Sequence, residues 1–232
     1  MEGRIYFVSG IDTGIGKTVV TGLMVRSLRT RGIDAITVKM VQTGNDGFSE
    51  DLNVHRAMCG QARLPEDENG WTAPQIFKFP ASPLLAARLE DRTVDLARIA
   101  DSVKSCAASR EVVLVESAGG LCVPLTEETL TVDFASAQGW PLVLVTCGRL
   151  GSVNHTILSL EAAKSRGMAV AGVVYNWFSD VDQLIDADSF DETQRVLARM
   201  GFPPIVVRVP QVPVDGPCPN VDFAPIFDQD GL

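Results

Sequence analysis

Five short runs of aliphatic, β-branched-rich residues, at 5–8, 112–115, 142–145, 170–174 and 205–209, limit the fold more than any other feature. Each is too short for a helix and too uniformly apolar for a strand with one wet face, so each reads as a strand buried on both sides. Between them lie stretches with helical spacing. In 17–31, Val20, Leu23, Met24 and Leu28 share a face while Arg26, Arg29 and Arg31 occupy others; 82–90, 94–106, 154–166 and 188–200 read as further helices. Strand and helix alternate along almost the whole chain, which predicts an α/β fold with a parallel β-sheet and helices on both faces. With 232 residues, a single domain spanning 1–232 is expected, large enough to need neither disulfides nor a structural metal.

Composition removes several function classes. At 46% hydrophobic and 21% charged the chain is globular, and its net charge of −9 argues against nucleic-acid partners and anionic membranes. An anionic ligand must therefore be held by local geometry. The cysteines, Cys59, Cys106, Cys122, Cys147 and Cys218, are odd in number and contain no Cys-x-x-Cys pair, so neither a disulfide framework nor a zinc site is expected. His55 and His155 are too few for a transition-metal cluster and read as surface or satisfied residues. The N-terminal apolar stretch is too brief for a signal peptide, and no uncharged apolar run approaches the ~18–20 residues of a membrane span. A cytoplasmic location is the expectation. The Pro-rich end, 209–227 within the final segment 209–232, is expected to be irregular surface chain, and 43–51 a polar loop.

The most specific motif is Gly10-Ile-Asp-Thr-Gly-Ile-Gly-Lys-Thr18, which follows the first apolar run and opens the first helix. In such a loop, backbone N–H groups turn onto phosphate oxygens, which requires glycine where a Cβ would clash, and the helix adds its positive end. Lys17 would reach the β and γ phosphates and the Thr18 hydroxyl would ligate magnesium, as in folds of the P-loop NTPase type. Five residues separate Gly10 from Gly16, one more than the strict Walker spacing. A dinucleotide fingerprint fits less well, because Val19 stands where a third glycine is needed.

Three further residues gain meaning beside this loop. Glu116 ends an apolar strand before Gly119 and Gly120, at the edge where open α/β sheets bind ligands, and is placed to hold magnesium; the alternative is a loop charge. Lys39 ends the segment 35–39, where a fixed positive charge would stabilise an anionic intermediate; the alternative is a lysine snorkelling off a strand end. Asn176 follows the strand 170–174 and offers an amide to a purine edge or to a turn.

Taken together, the phosphate loop, Val38-Lys39-Met-Val-Gln-Thr43-Gly, Glu116-Ser-Ala-Gly-Gly-Leu-Cys-Val-Pro-Leu, Arg149-Leu-Gly-Ser-Val-Asn-His155 and Val-Val-Tyr-Asn176 resemble dethiobiotin synthetases, in matching order, from about residue 4 to about 212. The wider loop spacing is that family's own form. The resemblance implies an ATP- and magnesium-dependent cyclo-ligase that joins CO2 to 7,8-diaminononanoate, through a carbamate and a mixed anhydride with phosphate, to close the ring of dethiobiotin. It implies nucleotide contacts at Gly14, Ile15, Gly16, Lys17, Thr18 and Val19, at Ser117, Ala118 and Gly119, at Asn176 and Trp177, and at Pro210, Gln211 and Val212. It assigns Thr18, Asp51 and Glu116 to magnesium and Lys39, with Lys17, to catalysis. Substrate contacts are implied at Thr43 and, from the partner of a homodimer, at Gly151, Ser152, Val153 and Asn154.

Three departures stand out: Met40 where proline often follows the lysine, Gly14 where some members carry an acid, and Ser117 where glycine is usual. A side chain at 117 is expected to crowd the substrate or restrict the turn, affecting rate and nucleotide preference rather than reaction type. Two rival readings are weaker. Cobyrinate-type amidases continue into a glutaminase domain, and partitioning ATPases carry a second lysine early in the loop, where this chain has Ile11, Asp12 and Thr13.

Overall fold

Strands dry on both faces need a neighbour on each edge and a helical layer above and below. The computed structural model, which describes residues 3–178, 181–212 and 218–228, supplies both. In chain order the elements are β1 (Arg4–Gly10), α1 (Lys17–Thr30), β2 (Ala35–Lys39), β3 (Gln42–Thr43), α2 (Glu50–Met58), α3 (Pro65–Glu68), β4 (Ile76–Phe77), α4 (Pro83–Leu89) and α5 (Leu96–Ala107). There follow β5 (Val112–Gly120), α6 (Thr131–Ala137), β6 (Leu142–Cys147), α7 (Ser152–Lys164), β7 (Val170–Asn176), α8 (Gln183–Met200), β8 (Val206–Val209) and α9 (Ala224–Phe227). Six strands form one parallel sheet in the order β2-β5-β1-β6-β7-β8, and β3 pairs with β4 apart from it.

Register decides which side chains meet at the C-terminal edge. Val8 and Lys39 both stand opposite Glu116, and Cys147 stands opposite Asn176. The phosphate loop, Lys39, Glu116 and Asn176 thus share one rim of the sheet, and β1, which leads into the loop, lies in the interior of that sheet. On one face, Ile99, Val103, Val132, Leu160 and Val196 pack against Val113, Val115 and Leu144; on the other, Val20, Leu23, Met24 and Leu28 pack against Tyr6, Val8 and Val145.

Three expectations need correction. The segment 43–51 is not a polar loop throughout, because α2 starts at Glu50, with the Ser49 side chain accepting from the Leu52 amide as its cap. Asp51 therefore sits in the first turn of a helix. The Pro-rich end is not surface chain throughout its described residues. Within 218–228, α9 forms and Phe223, Ile226 and Phe227 are fully buried on the α1 face, with Phe227 edge-on to Tyr6 at 5.0 Å. The remainder of that segment, 213–217 and 229–232, lies outside the described residues. Helix α8 also starts five residues earlier than expected, because Asp182 caps it by accepting from the Leu184 and Ile185 amides. No helix among the described residues is long and apolar enough to cross a membrane.

Candidate active site

Helix α1 opens without the features that usually close a helix N-terminus. Gly16 stands before it at φ 88°, no side chain caps it, and its first turn holds no acid. Its first N–H groups are thus left for an anion, with the helix end's partial positive charge behind them. Glycine is required at Gly16 for this left-handed backbone and because a Cβ there would strike the Asn176 amide. Asn176 Nδ2 donates to Ile15 O at 2.9 Å, so β7 braces the loop from beneath.

Lys17 folds back to donate to Asp12 O at 2.8 Å. Burial, and then the charge of Lys39, lower its ammonium to about 8. Lys39, at the end of β2, donates to Glu116 Oε1 at 2.8 Å and to Ser117 O at 3.0 Å, and lies 2.6 Å from Asp51 Oδ2. Burial would lower the Lys39 ammonium, but Glu116 and Asp51 outweigh it and hold the group above its ordinary value. Burial would likewise raise the Glu116 carboxyl; Lys39 and the hydrogen bond from His55 hold it well below the usual carboxylate range. The Thr18 hydroxyl donates to Glu116 Oε1 at 3.0 Å. Two cations and two carboxylates thus meet on a cavity of about 400 Å³, lined among others by Lys17, Thr18, Lys39, Thr43, Asp51 and Glu116.

The structure brings Gly14, Gly16, Lys17, Thr18, Lys39, Thr43, Asp51, Glu116, Ala118 and Gly119 to this cavity. Ile15, Val19 and Ser117 do not line it: Ile15 is buried against Gly10, Val19 packs toward the core of the α1 face, and the Ser117 hydroxyl turns to Ser9 Oγ at 2.9 Å. The Ser117 side chain points into the sheet, its hydroxyl also reaches Gly119 O of the turn at 3.3 Å, and its carbonyl meets Lys39. Trp177, Pro210, Gln211 and Val212 gather beyond the ends of β7 and β8, where the Trp177 amide donates to Val209 O at 2.9 Å. The Asn176 amide nitrogen donates one hydrogen bond to the loop, at Ile15 O. Gly151, Ser152, Val153 and Asn154 begin α7 and do not line the cavity of their own chain. Sequence reasoning missed the environment of His55, which is fully buried with both ring nitrogens bonded, to Thr37 and to Glu116. Its signal was the i, i+4 spacing from Asp51, readable only once α2 is recognised.

Donor chemistry fits magnesium. Among the described residues no three His, Cys, Asp or Glu side chains form a metal cage, yet a hydroxyl and two carboxylates beside a phosphate loop match an ion that takes few protein oxygens and fills its shell with phosphate and water.

A family model described as an AAA domain matches residues 4–216. The ATP-dependent dethiobiotin synthetase BioD of Chlorobaculum tepidum is 46% identical over 87% of this chain and 84% of its own length. ATP-dependent dethiobiotin synthetase BioD 2 of Pasteurella multocida is 43% identical over 84% and 90%, and that of Haemophilus influenzae 45% over 79% and 96%. Such identity across most of both chains, on a sheet whose rim carries the phosphate loop, Lys39 and Glu116 together, shows that this chain belongs to the family of ATP-dependent dethiobiotin synthetases, which are ligases.

Proposed function

We propose that the chain is an ATP- and magnesium-dependent cyclo-ligase that joins CO2 to 7,8-diaminononanoate and closes the cyclic urea of dethiobiotin. The observation that carries this is the pair of buried ammonium groups on one cavity: Lys17 in the phosphate loop and, independently positioned by β2, Lys39. A partitioning ATPase would carry its second lysine early in the loop, where this chain has Ile11, Asp12 and Thr13, and not at the end of β2. A reaction that forms an anion beside the γ-phosphate uses both.

Lys17 and the first amides of α1 hold the β and γ phosphates. One amine of the diamine attacks CO2, forming a C–N bond and losing a proton to give a carbamate, whose negative charge Lys39 stabilises. A carbamate oxygen attacks the γ-phosphorus and ADP leaves. The second amine then attacks the carbamoyl carbon, loses its proton, and expels phosphate as the ring closes. Thr18, Asp51 and Glu116 would hold the magnesium ion, which neutralises phosphate charge. Thr43, which lines the same cavity, would contact the diamine. Asn176, Trp177, Pro210, Gln211 and Val212 would flank the base.

The homodimer belongs to this reading. Gly151, Ser152, Val153 and Asn154 lie outside their own cavity, and Leu150 and Leu158 near them are 91% and 59% exposed, as a surface covered by a second copy would be. A cytoplasmic location follows from the demand for ATP. Phosphate release from ATP and magnesium, with diamine and bicarbonate each present or withheld, tests the proposal, with the product weighed for one added carbonyl. Release needing both, with that mass gain, is expected. Release indifferent to the diamine refutes the ligase.

A further inference from the structure

Glu116 is fully buried, and its two oxygens do different things. Oε1 is the oxygen on Lys39 and Thr18, whereas Oε2 lies 2.8 Å from His55 Nε2. His55 Nδ1 lies 3.1 Å from Thr37 Oγ1, which also receives Arg56 Nη1 at 2.8 Å. Arg56 in turn forks onto Asp67 through Nε at 2.9 Å and Nη2 at 2.6 Å, and Asp67 is completed by the Leu64 amide and the Thr72 hydroxyl. A continuous line of buried polar groups thus runs from α3 through β2 and α2 to the strand end that bears Glu116.

Chemistry at the two ends fixes the direction of every bond between. Arginine only donates, so Thr37 Oγ1 accepts from Arg56; an ionised carboxylate only accepts, so His55 Nε2 carries a proton. A neutral imidazole then presents Nδ1 as an acceptor, and Thr37 gives it the one hydroxyl proton.

We propose that His55 is a positioning residue: held as the Nε2–H tautomer by Thr37 and Arg56, it ties up Glu116 Oε2 and presents Oε1 alone as the magnesium ligand. The inference rests on the reading of Glu116 as that ligand and extends it to a side chain that touches neither metal nor substrate. Magnesium demands near-octahedral geometry, so a carboxylate free to rotate onto both oxygens would serve it poorly. Partners that orient a ligand in this way are commonly worth ~10–100-fold in metal affinity.

Glutamine places its amide nitrogen where Nε2 stands, whereas asparagine reaches only as far as Nδ1, so the two substitutions separate positioning from packing. Manganese(II) binding to the full chain with adenosine β,γ-methylenetriphosphate, read from the paramagnetic resonance of free ion, is expected to weaken ~10–100-fold in His55→Asn and to recover most of that in His55→Gln. Native affinity in His55→Asn, or equal losses in both, overturns the inference. Failure of manganese to bind the native complex overturns the metal reading itself, and the inference with it. A second measurement needs no metal. The chain has two histidines, so nitrogen-15 imidazole spectra, assigned with His155→Gln, are expected to show His55 as the Nε2–H tautomer near neutral pH. A ring without a proton on Nε2 overturns it.

Discussion

Ser117→Gly removes a hydroxyl that lies 2.9 Å from Ser9 Oγ, between two fully buried residues on adjacent strands. Leaving the Ser9 hydroxyl without its partner costs about 1–3 kcal/mol, and glycine within a strand adds about 0.5–1 kcal/mol. The central expectation is a loss of about 2.5–3 kcal/mol. At roughly 2–4 °C per kcal/mol for a chain of this size, the melting temperature falls by roughly 5–12 °C. Ser9→Ala in the same chain removes the stranded hydroxyl and restores about 1–2 kcal/mol, a coupling that a double-mutant cycle reads directly. Turnover at saturating substrate stays near native, because the atom that meets Lys39 is the backbone carbonyl at 3.0 Å, which glycine keeps. Calorimetric melting and steady-state kinetics on the same samples decide the matter. An unchanged melting temperature with a shifted KM for nucleotide would refute the placement of this side chain inside the sheet.

Lys39→Ala is expected to lower turnover by ~10²-fold or more while nucleotide binding stays nearly intact, since Lys17 and the loop amides remain; near-native turnover would remove its catalytic role. Lys17 carries a pH signature: with its folded pKa lowered to about 8 from 10.5, the free fold binds fewer protons than the unfolded chain between those values, so this group's contribution to stability rises with pH across that window. Phosphate restores the charge, so nucleotide binding at about pH 8.5 should take up protons and affinity should fall as pH rises further; calorimetry in two buffers of different ionisation enthalpy, showing no uptake, would contradict this.

The parallel sheet was legible because its strands are dry on both faces, a condition that leaves an unbroken aliphatic run such as 112–115. The phosphate loop was legible because glycine spacing and the lysine that follows are dictated by backbone geometry. Helix α2 was not. Its buried face consists of Leu52, His55 and Arg56, so the helical period is present but written in polar residues that no apolar pattern registers. Asp67, which anchors Arg56, sits in a four-residue helix with no periodicity to read. The tail misled for another reason: its prolines mark irregular backbone, yet Phe223, Ile226 and Phe227 sit at i, i+3 and i+4, too short a signature to stand out. The inward turn of Ser117 depends on Ser9, more than a hundred residues away, and nothing local announces it.

The interior position of β1 has a consequence for the order in which the molecule is made. Its neighbours in the sheet are β5, paired through Phe7 with Val115, and β6, paired through Gly10 with Val145. Strand β1 therefore lacks its sheet neighbours until more than a hundred further residues have been synthesised, and the phosphate loop has no frame before then. Contacts so distant along the chain make for slow, late closure. Nucleotide accordingly finds its site only once β5 and β6 flank β1, and the stabilisation it supplies by mass action reaches the assembled sheet and not β1 and its loop alone.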